Sequence, residues 1–112
     1  MADFYTVNMT EQAREQLREI VHYISVQLQA PETALRILDV LEEEITSLSQ
    51  FPNRIALTEE EPWHSYGIHK MPVKNYLVYF WVDEAAKAVH VTAIIYGRRD
   101  QISALSKMKL GN

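Results

Sequence analysis

The residues best equipped for polar chemistry gather late in the sequence. Tyr96-Gly97-Arg98-Arg99-Asp100 follows a strand-like apolar run and ends it in paired positive charge. Two guanidinium forks can each grip a carboxylate or a phosphate. Lys70, Lys74 and His69 lie about one strand pair earlier, with Tyr76 just after them. If the strands around them run antiparallel, Lys74 opens one strand where the next closes in Arg98–Arg99. Lys74, Arg98 and Arg99 then converge on one sheet end beside Tyr76 and Tyr96, while Lys70 falls farther away. Arginine among tyrosines suits an anionic surface: phosphate, nucleic acid or an acidic protein. Asp100 is placed either to hold the Arg99 fork for a target or to tie down the tail through internal pairing. Gly97 lets the chain turn sharply out of the strand.

Other chemistries lack their residues. Asp83–Glu84 read as turn residues, and Glu42–Glu43–Glu44 as a solvated helix face. No phosphate-binding glycine loop, nucleophile elbow or zinc helix is present. The four histidines, His22, His64, His69 and His90, have no metal-ligand spacing, and there is no cysteine. No metal and no cofactor is therefore expected. His69, beside Lys70, is the one histidine that a nuclease could use.

The 112 residues suffice for one domain, 1–112, and 47% hydrophobic content supplies one core. No apolar run is long enough for a membrane span, and the start does not read as a signal peptide, so a cytoplasmic location is expected. The net charge of −4 hides a division. Residues 1–61 hold four basic and twelve acidic residues, −8; residues 62–112 hold seven and three, +4. Either the basic half meets an anionic partner, or the halves attract each other within the fold.

The elements that must position these residues can be read in order. Residues 3–9 suggest a short strand. Thr10 offers a helix N-cap, followed by apolar residues at helical spacing from Ala13 to Leu28. Gln29–Glu32 breaks that helix, Pro31 starts a second, and Phe51–Pro52 stops it. The short break predicts an antiparallel helical hairpin. Residues 53–65 read as a loop, 66–71 as a strand, 72–75 as a turn, 76–82 as a strand, 83–87 as a turn and 88–96 as a strand. Residues 101–110 suggest a short helix. The expected fold is α+β, in the order β-α-α-β-β-β, with an antiparallel sheet and a short tail helix.

Strict alternation puts Leu77, Tyr79 and Trp81 on one sheet face, and Val78, Phe80 and Val82 on the other. In the last strand it sets Val89, Val91, Ala93 and Ile95 against His90, Thr92, Ile94 and Tyr96. Both faces are apolar, yet a helical hairpin covers only one. The other needs the tail or another chain. A small dimerisation domain would use such a face as well.

The ordered set of Ala34–Arg54, which ends in Phe-Pro, and Gly67–Asp100, with "NYLVYFWVDE" before a strand and "YGRRD", resembles the RelE/ParE toxin superfamily of bacterial type II toxin–antitoxin systems. That resemblance spans most of the chain. It implies a toxin held by a cognate antitoxin, which would cover the second apolar face through Val78, Phe80, Ile94 and Tyr76. RelE-like members are mRNA endonucleases on the ribosome; ParE-like members poison DNA gyrase. RelE-like members carry an arginine on the third strand, another after the last strand, and a tail tyrosine. Here those positions hold Tyr76, Arg99 and the vicinity of Leu105, and the tail has no Tyr or His. With "VKNYLVY" and the long hairpin, this favours the ParE-like branch and a protein target, with DNA gyrase the family expectation. Arg98, Arg99, Lys74, Tyr96 and Asp100 are the target-binding candidates. Three positions where relatives carry arginine hold His69, Trp81 and Ala93. The alternatives are a ribosome-dependent mRNA endonuclease using Arg99, Arg98, Lys74 and His69, and an inactive relic that only binds antitoxin. Direct nucleic-acid binding belongs to the nuclease alternative alone.

Overall fold

Thr10 begins the first long helix. Its backbone is extended, and its hydroxyl accepts the Ala13 N–H at 3.2 Å. That satisfies one of the amides a helix start leaves open. In a computed structural model describing residues 4–111, the elements run β1 (Thr6–Met9), α1 (Glu11–His22), α2 (Pro31–Thr46), β2 (His69–Val73), β3 (Tyr76–Asp83), β4 (Ala88–Tyr96) and α3 (Gln101–Ser106). The α+β reading and its element order hold. Asp3, expected in the first strand, lies outside the described residues.

The α1 helix ends in one wide turn, Tyr23–Gln27, where Leu28 N–H reaches the Tyr23 carbonyl at 3.0 Å. Gln29, at φ 52°, reverses the chain, and Pro31 opens α2. Proline fits there because the first helical N–H needs no intrahelical partner.

The sheet order is β1-β4-β3-β2, with β2, β3 and β4 antiparallel. The first strand returns beside β4 and parallel to it, Thr6 opposite Ala88 and Met9 opposite Val91, so the sheet is mixed. The expected turn over 72–75 shrinks to Lys74–Asn75. Pro72 stays in β2 opposite Leu77, which proline tolerates on an edge strand. The strand expected from residue 66 starts at His69.

One irregularity changes the side-chain arithmetic. Tyr79 faces Ala93 but Phe80 faces Val91, which leaves Thr92 as an extra residue in β4. Such a bulge inverts the alternation beyond it. Val89, Val91 and Ile94 therefore share the helix-side core with Val78 and Phe80, while Ala93 and Ile95 join Tyr79 on the opposite side. Strict alternation misassigned these β4 residues. Thr92 pins the bulge by donating to the Tyr79 carbonyl at 3.3 Å.

The second sheet face is covered from within the chain. Leu105, Ala104 and Met108 of the tail, with Trp63 from the long loop, pack over Ile68, Tyr79, Ala93 and Ile95. The Trp81 indole N–H donates to the Leu110 carbonyl at 2.9 Å and extends that cover. Meanwhile Val78, Phe80 and Ile94 are almost fully buried beneath the hairpin, beside Leu41, Ile45 and Leu48. They form intramolecular core, so the expectation that they meet an antitoxin is corrected. Of those four residues, only Tyr76 is partly exposed.

Candidate functional site

The end of the sheet is where two turns meet. Gly97 N–H donates to the Asn75 carbonyl at 2.8 Å, which clamps the β4 exit against the β2–β3 turn. A Cβ on Gly97 would lie 3.1 Å from that same oxygen. Glycine is thus favoured here by the close approach rather than by an unusual φ. Lys74 immediately precedes Asn75 and takes φ 55°, while Arg99 N–H turns back to the Tyr96 carbonyl at 3.0 Å. Lys74, Arg98 and Arg99 are all exposed on these adjoining turns.

Beside them Tyr76 and Tyr96 meet edge to face, with ring centroids 5.8 Å apart. Both border a groove of about 810 Å³ that also takes in Arg99, Asn75 and, from the helical hairpin, Tyr23 and Leu28. Arg98 is not part of its wall. Burial, then the neighbouring Tyr96, pushes the Tyr76 phenol above its ordinary pKa of 10.0. It stays protonated near neutral pH and cannot act as a base there. The arrangement offers a cationic fork, aromatic faces, apolar depth and the Glu19 carboxylate, a set suited to binding.

The sequence matches a family model described as the ParE toxin of type II toxin–antitoxin systems, parDE, over residues 7–101. The chain belongs to the ParE toxin family. Its fold is similar to that of a chain of the chromosomal ParDE system from P. aeruginosa, at 22% identity and TM-score 0.66, covering 84% of this chain and 97% of that one. A chain of the RelBE2 toxin–antitoxin complex from Mycobacterium tuberculosis follows at 22% identity and TM-score 0.62, covering 83% and 98%. An arginine-substituted variant of the E. coli RelE toxin in the free state gives 13% identity and TM-score 0.60, covering 90% and 92%. No curated protein sequence matches the chain.

Within this ParE-family chain, two site candidates take structural posts. His69 is buried, stacks on Phe80 with centroids 4.8 Å apart, and donates from Nδ1 to the Ile55 carbonyl at 2.7 Å. It opens β2, and the far end of that strand at Val73, just before Lys74, is about 13 Å away at the rise of an extended strand. His69 is thus far from the basic end, against its place in the nuclease set. Replacing it with Ala should cost about 2–4 kcal/mol through the lost stack and the unpaired carbonyl. Chemical denaturation measures this. Any loss of toxicity should track the loss of folded protein.

Asp100 accepts the Ser103 N–H at 3.2 Å and caps α3. Among the described residues it forms no ion pair with Arg99, so it positions the tail rather than the guanidinium. Nor do Arg98 and Arg99 make side-chain hydrogen bonds or ion pairs among the described residues, which leaves both forks open to solvent. Lys70 is engaged elsewhere: its ammonium lies 3.5 Å from Glu60 Oε1 and 3.4 Å from Gln101 Oε1.

Sequence reasoning missed the polar cluster around Lys70, which fastens the tail. The Tyr79 hydroxyl donates to Gln101 Oε1 at 3.3 Å, and burial pushes its pKa up to about 12. The Thr58 hydroxyl donates to Glu60, the leading cause of a carboxyl held below its ordinary value. Glu60 is therefore more acidic folded than unfolded. Its contribution is full above about pH 5, fades as pH falls past the ordinary carboxylate value near 4.3, and is gone below the lowered one. Glu60→Gln should flatten the acid limb of the stability–pH curve, seen by thermal unfolding between about pH 3 and pH 7.

Proposed function

We infer that this ParE-family chain arrests growth by seating its Arg99–Tyr96 end on a protein target, and that a cognate antitoxin neutralises it. Arg99, Tyr96 and Tyr76 form the contact, with Arg98 and Lys74 adding positive charge at its rim. DNA gyrase is the target expected of the ParE-like branch, which places the action in the cytoplasm. A partner antitoxin is supported by the family and by the complexes in which the ParDE and RelBE2 relatives occur.

The observation that carries the reading is an aromatic groove with an open arginine fork, whose lining holds one carboxylate, Glu19, and no histidine. Cleaving RNA needs a group that takes the ribose 2′-hydroxyl proton. The groove offers Tyr76 with a raised pKa, and His69 lies in the core at the other end of β2. The tail contains neither Tyr nor His.

The test is primer extension on mRNA from a translating extract supplied with the purified chain. No codon-specific cuts should appear, while growth stops in cells that express it. Cuts that vanish with Arg99→Ala would replace this reading with the mRNA endonuclease.

A further inference from the structure

The tail is lashed down around Met108. The Gln12 side chain, on α1, donates to the Lys107 carbonyl at 3.0 Å and accepts the Lys109 N–H at 2.9 Å. One amide thus grips the backbone on both sides of Met108. The Trp81 indole fastens the Leu110 carbonyl just beyond. Held in this way, the thioether packs on the Ile68, Tyr79, Ala93 and Ile95 cluster, and its Sδ lies 3.1 Å from the Thr92 hydroxyl.

Thr92 is the extra residue of the β4 bulge, and it is fully buried. Its hydroxyl carries one proton and has two acceptors in reach, the Tyr79 carbonyl at 3.3 Å and the Met108 sulfur. A thioether is the weaker acceptor, so the proton stays with the carbonyl and pins the bulge. A sulfoxide oxygen on that sulfur would be a polar acceptor set among apolar side chains. Of the methionines among the described residues, Met71 is 3% exposed, while Met9 and Met108 are partly exposed. Met9 packs in the core beneath the helical hairpin; Met108 is on the tail.

We propose that Met108 is an oxidation site that takes one oxygen from a peroxide, and that its sulfoxide unlatches the tail from the second sheet face. The sulfur lone pair attacks one peroxide oxygen, and the O–O bond breaks. Sulfur gives up two electrons and keeps that oxygen. The departing hydroxide takes the proton this oxygen sheds and leaves as water. The sulfoxide oxygen then draws the Thr92 proton away from the Tyr79 carbonyl. The bulge loses its pin, and the cluster beneath the tail gains a polar group. Methionine sulfoxide reductases, one for each epimer, restore the thioether. The latch residues Gln12, Thr92 and Met108 do not line the Arg99 groove, so the proposal stands whether or not that end contacts a target.

The test treats the full native chain with dilute hydrogen peroxide and follows the one-oxygen mass gain on each methionine. Met108 should oxidise about tenfold faster than Met71, as exposure dictates. Trypsin cleavage after Lys107 should then speed about tenfold, because cleavage reads the open population of the tail. The unfolding midpoint should fall by about 4 °C or more. Methionine sulfoxide reductases A and B together should reverse both changes on the same sample, with no substitution needed. Met108→Leu, which keeps the volume and cannot be oxidised, should hold the tail closed in peroxide, and Met9→Leu should leave the native response unchanged. Oxidation of Met108 no faster than that of Met71 overturns the proposal. So does an oxidised chain whose tail cleavage and midpoint match the reduced one. Opening that persists in Met108→Leu, or that vanishes with Met9→Leu, would place the sensitive group elsewhere and overturn it too.

Discussion

Arg99→Ala should abolish growth arrest while leaving the fold intact. Arg99 borders the Tyr76–Tyr96 groove, and among the described residues its side chain makes no ion pair or hydrogen bond. Removing an exposed, unengaged guanidinium changes stability by no more than about 0.5 kcal/mol. On a target, each charge-assisted contact is worth about 1.5–3 kcal/mol. Its loss lowers affinity roughly ten- to more than a hundredfold. Arg98 stands outside the groove wall, so Arg98→Ala should keep most of the toxicity. Inducible expression with a growth readout, paired with thermal unfolding, separates these effects. Full toxicity of Arg99→Ala would leave the motif a solvated strand end. Unfolding by either substitution would make it a structural clasp.

The second large effect concerns the tail. Leu105 is 1% exposed and sits in the cluster with Tyr79, Ile95 and Ile68. Truncating such a leucine to Ala costs about 2–5 kcal/mol. Against a total of about 5–15 kcal/mol for an ordinary domain, that is a large share. Leu105→Asp adds an unpaired buried charge and should lift the tail off the sheet. Hydrophobic dye binding and self-association are then expected. Ile102→Asp, on a half-exposed residue of the same short helix, should do neither. A well-behaved Leu105→Asp monomer with an unchanged unfolding midpoint would mean that the tail contributes nothing to covering that face.

The legible parts of the fold were those written locally. Thr10 before Ala13 and Pro31 before Glu32 announce helix starts through the chemistry of unpaired amides. The last strand, Ala88–Tyr96, appears with its expected bounds. What stayed hidden is set by tertiary structure. Nothing in "AVHVTAIIY" marks Thr92 as the extra residue, because the bulge arises as β4 continues past the end of β1 toward α1. The parallel pairing of β1 with β4 is likewise a consequence of the whole topology.

Some misses had signals. His69, Met71 and Val73 alternate inward along β2, and that period of two places His69 in the core. Asp100, three residues before Ser103, carries a helix-capping pattern, which explains why its carboxylate is taken. Ala104, Leu105 and Met108 recur at helical spacing, the mark of a tail that folds back on the sheet. The convergence of Lys74 with Arg98 and Arg99 was legible because it follows from antiparallel pairing alone. The groove beside them was not, since it also needs Tyr23 and Leu28 from the hairpin.

The most direct measurement is DNA supercoiling by purified gyrase with increasing amounts of the purified chain. The protein-target account predicts inhibition that Arg99→Ala weakens at least tenfold and Arg98→Ala leaves largely in place. Undiminished supercoiling at every concentration, from a preparation that cuts mRNA on translating ribosomes, would contradict it.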